Sequence, residues 1–120
     1  MAAVEYVVAR ADELPPGGRK IVTVRNLEIG LFRLGDEYVA LPNVCTHQFG
    51  PLCTGKVGAT IVATAETDWQ PRLAYENEVI ACPWHGLEFL IRSGQCLAYP
   101  NVRLRRYPVK VEGGEVKLVL

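Results

Sequence analysis

Two short stretches of this chain carry residue types that could do chemistry: Cys45-Thr46-His47 and Cys82-Pro83-Trp84-His85. Each places one thiolate and one imidazole within reach of a common metal, so together they offer two sulfur and two nitrogen donors. Cys-x-His followed by Cys-x-x-His meets the ligand requirement of a [2Fe-2S] centre in which two His replace two Cys on one iron. Such a chain carries electrons. A Cys2His2 zinc ribbon would draw on the same four residues, but zinc pairs usually read Cys-x-x-Cys and His-x-x-x-His within shorter spans, and the loop order favours iron. Cys53 and Cys96 read as small buried thiols, because free Cys is a common core filler. Trp84 lies between two ligands and so reads as a shield over the metals.

The chain has 120 residues, enough for one compact domain but not for an additional catalytic domain of ordinary size. Enzyme activity would therefore reside in partners. Thirteen basic and thirteen acidic residues balance, which argues against a nucleic-acid or membrane-surface role. Met1-Ala2-Ala3-Val4-Glu5-Tyr6 has neither a basic start nor an apolar run, and no stretch approaches the roughly 18 apolar residues of a membrane helix. The expected location is the cytoplasm, whose reducing conditions favour metal ligation over disulfides for the four Cys.

The elements that must position these loops read as β-strands. Glu5 to Ala9 is a β-branched and aromatic run, broken by Leu14-Pro15-Pro16-Gly17-Gly18. Arg19 to Arg25 and Leu27 to Leu34 follow, and Gly35-Asp36 is a hairpin turn into Glu37 to Leu41, which leads directly to the first loop. The glycine and proline density of Asn43 to Gly58 suits a loop whose backbone comes close to a cluster. Of the 34 residues between the loops, Gln48 to Ala81, the last part reads as Leu73-Ala74-Tyr75 and Val79-Ile80-Ala81 flanking a Glu76-Asn77 turn. Beyond His85 come a strand over Leu87 to Ile91, a turn at Arg92 to Gln95, a short strand over Cys96 to Tyr99, and a closing hairpin of Leu104 to Glu112 with Glu115 to Leu120 about Gly113-Gly114. Arg103, Arg105 and Arg106 read as an alternating solvated face. Nothing in the chain reads as a helix, and many short strands with regular turns imply an all-β sandwich or small barrel.

Cys45-Thr46-His47-Gln48-Phe49-Gly50-Pro51-Leu52 and Cys82-Pro83-Trp84-His85-Gly86-Leu87-Glu88-Phe89 resemble the two cluster-binding boxes of Rieske-type iron–sulfur proteins. The likeness extends through Ser93-Gly94-Gln95-Cys96-Leu97 and Leu104-Arg105-Arg106-Tyr107-Pro108-Val109 to essentially the whole chain, as in bacterial Rieske ferredoxins. The resemblance implies one domain over 1–120: an antiparallel β-sandwich or small-barrel base with a cluster-binding subdomain at roughly 43–90. It further implies that Cys45 and Cys82 hold one iron, and His47 and His85 hold the other through Nδ1. Relatives in respiratory and photosynthetic complexes carry an extra Cys in each box, where this chain has Gly50 and Trp84, so the soluble ferredoxin subclass fits better. The gap between boxes is long for an oxygenase ferredoxin. An added segment, roughly Thr60 to Pro71, is therefore expected on the surface near the cluster, with Trp69 anchoring it to the sheet.

What the resemblance implies for function is one-electron transfer with no bound substrate and no catalytic residue. Electrons would pass from a flavin-dependent NAD(P)H reductase to the terminal oxygenase of a ring-hydroxylating or related system. The alternative is the small subunit of an NADH-dependent nitrite reductase-like enzyme. Neutral imidazoles raise the potential relative to all-Cys clusters, and their deprotonation would make it fall with rising pH. High-potential relatives place a Ser hydroxyl and a Tyr hydroxyl where this chain has Leu87 and Phe89, so a potential at the low end of the class is expected.

Overall fold

The computed structural model describes residues 4–44, 51–83, 86–99 and 101–120. It contains three antiparallel three-stranded sheets, and none closes into a barrel. The strands are β1 (Glu5–Arg10), β2 (Arg19–Val24), β3 (Leu27–Leu34), β4 (Glu37–Pro42), β5 (Lys56–Val62), β6 (Arg72–Ala81), β7 (Glu88–Leu90), β8 (Val109–Glu112) and β9 (Glu115–Val119). They pair as β1-β9-β8, β2-β3-β4 and β5-β6-β7. The helical pieces among the described residues are two single 3-10 turns, Leu52–Thr54 and Ala65–Thr67. No helix there is long and apolar enough to cross a membrane.

The middle of β3 is buried on both faces, as is that of β4, which explains the near-continuous apolar run Ile29-Gly30-Leu31-Phe32. Ile29, Leu31 and Ala40 point one way, into a core with Ala9, Val116 and Leu118 of the terminal sheet. Phe32, Leu34, Val39 and Leu41 point the other way, into a second core with Leu52, Ile80, Phe89 and Ile91. Burying each of these large side chains contributes about 1.5–3 kcal/mol. β3 thus contributes to both cores, and the second of them also takes in Leu52, Cys53 and Cys82.

Two-residue turns join three of the strand pairs. Gly35-Asp36 links Leu34 to its partner Glu37, and Gly113-Gly114 links Glu112 to Glu115, as the sequence predicts. A third turn, Arg25-Asn26, carries no glycine yet has φ of 53° and 66°, the left-handed pair that a tight hairpin needs.

The structure corrects several expected elements. Glu76-Asn77 is not a hairpin turn: β6 runs unbroken through it, and Tyr75 to Glu78 bulge opposite Ala59 while pairing resumes at Thr60↔Ala74. Tyr75 and Asn77 absorb the distortion at φ of 56° and 63°. The true hairpin is β5 with β6. Residues 104–108 lie outside the closing hairpin, which begins at Val109. Arg103, Arg105 and Arg106 are exposed, as expected, but off any strand, and the Arg105 guanidinium lies 5.1 Å from the Tyr107 ring centre. The segment between the boxes projects as a two-stranded ribbon, where Trp69 is 68% exposed and so anchors nothing. Ile61 and Leu73, direct cross-strand partners, are 68% and 64% exposed. The ribbon is tied back where the Thr60 hydroxyl donates to Glu88 Oε1 at 3.0 Å, one residue beyond the second loop.

Candidate metal centre

The second loop is a hairpin connection built from backbone. β6 and β7 pair to Ala81↔Glu88, the Cys82 N–H then donates to the Leu87 carbonyl at 2.9 Å, and the Gly86 N–H donates to the Cys82 carbonyl at 2.8 Å. Gly86 has φ of +72°, a conformation that glycine adopts without penalty. Cys82 therefore stands at the mouth of this loop, buried at 3% exposure on the edge of the second core.

The first loop leaves β4 at Pro42 and returns through the 3-10 turn to β5. Side chains hold its ends together. Asn43, buried, accepts the Cys53 N–H on its Oδ1 at 2.7 Å, while its own N–H donates to the Glu28 carbonyl at 2.9 Å. On the other side of Cys53, the Arg19 guanidinium donates to the Cys53 carbonyl at 3.2 Å and also to the Gly55 carbonyl.

The two loops meet at their bases. Lys56 pairs with Ala81, and a Cβ on Gly55 would lie 1.9 Å from the Ala81 carbonyl oxygen, so only glycine lets the exit of one loop lie against the entry of the other. That register brings residues 55 and 81, the latter adjacent to Cys82, to one end of the β5-β6-β7 sheet.

Of the four residues expected to bind metal, Cys82 is described; Cys45, His47 and His85 lie outside the described residues, as does Trp84. The other two described thiols have structural surroundings. Cys53 is fully buried against Gly30, where a Cβ would fall 2.4 Å from its sulfur, and its thiol donates to the Pro42 carbonyl at 3.4 Å. Burial pushes that thiol up to about 12, against smaller opposing pulls from the Gly30 backbone and the Arg19 charge. It is a neutral thiol, unsuited to ligation. Cys96 is buried in the second core and bridges to Phe89.

Cys82 is thus the described thiol on a ligand loop, and the register sets that loop beside the base of the loop carrying Cys45 and His47. A donor set of two thiolates and two imidazoles on adjacent loops fits a mixed-ligand iron–sulfur group. Sequence reasoning missed three residues that build the site: Asn43, Arg19 and Gly55. A glycine just after a ligand loop was a visible sign of close backbone approach. A lone Asn and a lone Arg carry no such sign.

A family model described as the Rieske [2Fe-2S] domain matches residues 4–108. The chain is 29% identical over 109 residues to the ferredoxin component of the naphthalene 1,2-dioxygenase system of Pseudomonas aeruginosa, spanning 90% of this chain and 88% of that protein. Among solved structures, the ferredoxin of carbazole 1,9a-dioxygenase from Nocardioides aromaticivorans IC177 superposes with a TM-score of 0.69 at 31% identity, covering 98% of this chain and 97% of that one. A chain from Mycobacterium tuberculosis assigned as an NADH-dependent nitrite reductase small subunit superposes at 0.73 with 23% identity, covering 100% and 97%, a likeness of fold alone. With a family match over most of its length and two ligand loops joined at their bases, this chain belongs to the Rieske [2Fe-2S] domain family.

Proposed function

We propose that this chain is a one-electron carrier in which Cys45 and Cys82 hold one iron, and His47 and His85 the other, of the [2Fe-2S] cluster that its family binds. When bound, that group supplies a site that takes up and releases one electron. The observation that supports this reading most directly is the close approach of Gly55 to Ala81, because it brings the exit of the first loop and the entry of the second to one end of one sheet. Everything else in the site is the work of ordinary residues. The hairpin from Cys82 to Leu87 fixes the entry of the second loop, Asn43 and Arg19 fix the return of the first, and Cys82 packs with Leu52, Ile80 and Phe89 in one apolar core.

The names of the similar proteins support the ferredoxin of an oxygenase system. In that role the chain would take electrons from a flavin-dependent NAD(P)H reductase and deliver them to a terminal oxygenase through transient docking. On this reading the chain works in the cytoplasm as a single domain over 1–120, with 43–90 as its cluster-bearing part. It has no catalytic residue of its own and takes neither nucleic acid nor a small-molecule substrate. The nitrite reductase-subunit alternative is supported by fold alone. Stable co-elution with a large partner would favour it, and free migration would favour the carrier.

Anaerobically purified protein is expected to be red-brown, with about two iron and two acid-labile sulfides per chain, and to give the low-average-g EPR signal of a His-ligated cluster after dithionite reduction. A colourless chain holding one tight zinc after reconstitution with iron and sulfide would overturn the assignment.

A further inference from the structure

Asn43 is the buried polar side chain among the described residues, and it sits at the start of the first ligand loop rather than in the base. A buried carboxamide is costly unless its hydrogen bonds are made. Here they are: Oδ1 takes the Cys53 N–H at 2.7 Å, and Nδ2 reaches Glu28 Oε1 at 3.5 Å. Asn43 and Cys53 bracket the stretch that contains Cys45 and His47. The other face of Cys53 is held as well, since Arg19 on β2 donates to the carbonyls of Cys53 and Gly55. Cys53 itself is immobilised by burial, seated on Gly30 with its thiol on the Pro42 carbonyl. Both peptide units flanking Cys53 are therefore pinned to the β2-β3-β4 sheet by side chains, and neither hydrogen bond belongs to the strand ladder.

We propose that Asn43 and Arg19 are positioning residues that clasp the first ligand loop shut, and that this clasp governs how long the loop retains its iron. The proposal rests on the functional reading above. Without the clasp, the loop would open from its base while the sheets stay folded, because the clasp residues lie at the margin of the core and the second loop is closed independently by backbone.

The test uses the holoprotein and a ferrous chelator in excess after dithionite reduction, with bleaching of the visible absorption timed against unfolding followed by circular dichroism. Asn43→Leu and Arg19→Met are each expected to bleach about tenfold faster than wild type, the factor associated with one lost buried hydrogen bond. Asn43→Asp keeps an acceptor for the Cys53 N–H, so it should bleach markedly more slowly than Asn43→Leu. Leu104→Ala, which cuts the same core at a residue outside both loops, should lower the unfolding midpoint without accelerating bleaching. Arg19 lies on an accessible strand, so Arg19→Met decides the matter if Asn43→Leu does not fold. Clasp variants that bleach at the wild-type rate overturn the proposal, as does a Leu104→Ala variant that bleaches equally fast. Those results leave the electron-carrier reading intact. A wild-type chain that assembles no cluster removes that reading, and the clasp with it.

Discussion

The two ligand loops solve one problem by different means. The second closes with main-chain hydrogen bonds that continue the β6–β7 ladder, Cys82 to Leu87 and Gly86 to Cys82. The first spans from one sheet to another, from β4 to β5, so no ladder can close it and side chains must. Backbone closure depends on few side-chain identities besides Gly86. Side-chain closure depends on Asn43, Arg19 and the small thiol of Cys53 all at once. The difference teaches that tolerance to substitution should differ between the two loops, although each carries one Cys and one His of the proposed ligand set.

The strongest way to probe that comparison is to strike the ligands, where both loops should fail alike. Cys45→Ala, His47→Ala, Cys82→Ala or His85→Ala is each expected to erase the visible absorption, whereas Cys53→Ser and Cys96→Ser keep it. Loss of colour in a folded Ser variant would mean that the ligands are misassigned. Next in size is Gly55→Ala, which strikes the contact that both loops share. Its Cβ would overlap the Ala81 carbonyl, at an expected cost of about 3 kcal/mol read from the denaturant midpoint. An unchanged midpoint would show that the loops are not braced against each other.

A smaller effect isolates the first loop by pH. The fold holds the Cys53 proton up to about 12, whereas an unfolded thiol releases it from near 9.0, so this contribution is complete below pH 9 and is lost as pH rises from 9 toward 12. Wild-type stability should therefore fall more steeply over that alkaline range than that of Cys53→Ser. Matching slopes would remove Cys53 from the closure of the first loop. The smallest effect belongs to the second loop. Leu87 is half-buried beside the core and offers no donor, so the potential is expected near the lower bound of the class, about −150 mV, and Leu87→Ser should raise it by tens of millivolts. A wild-type value above about +100 mV by film voltammetry at pH 7 would mean that other donors serve the cluster. Phe89→Tyr is the poorer variant, because Phe89 is fully buried and a hydroxyl there must find a partner inside the core.

Much of this was legible in the sequence because it is local. Gly-Asp and Gly-Gly turns announced two hairpins, period-two alternation announced strands, and the paired Cys and His announced a metal centre. What stayed hidden was either a backbone state taken against type or a contact between distant residues. Arg25-Asn26 and the Tyr75 to Glu78 bulge use left-handed angles without glycine. β5 was lost in the loop before it, since Gly55 and Gly58 read as turn residues when one of them is there for close packing. Asn43 looked like one more turn residue; only the β3–β4 register, which sets it beside Glu28 with Cys53 returning overhead, gives it a task.

The ribbon beyond the bulge has a consequence for the gene. No residue from Lys56 through Glu78 is buried, and Gly58 and Val79 are already cross-strand partners where the ribbon leaves the sheet. Everything from Ala59 to Glu78 can therefore be exchanged for a two-residue Asn-Gly connection without emptying either core. In genetic terms the stretch is a cassette: a place where the coding sequence can lengthen, shorten or be swapped between homologues while the frame that holds the iron is inherited intact.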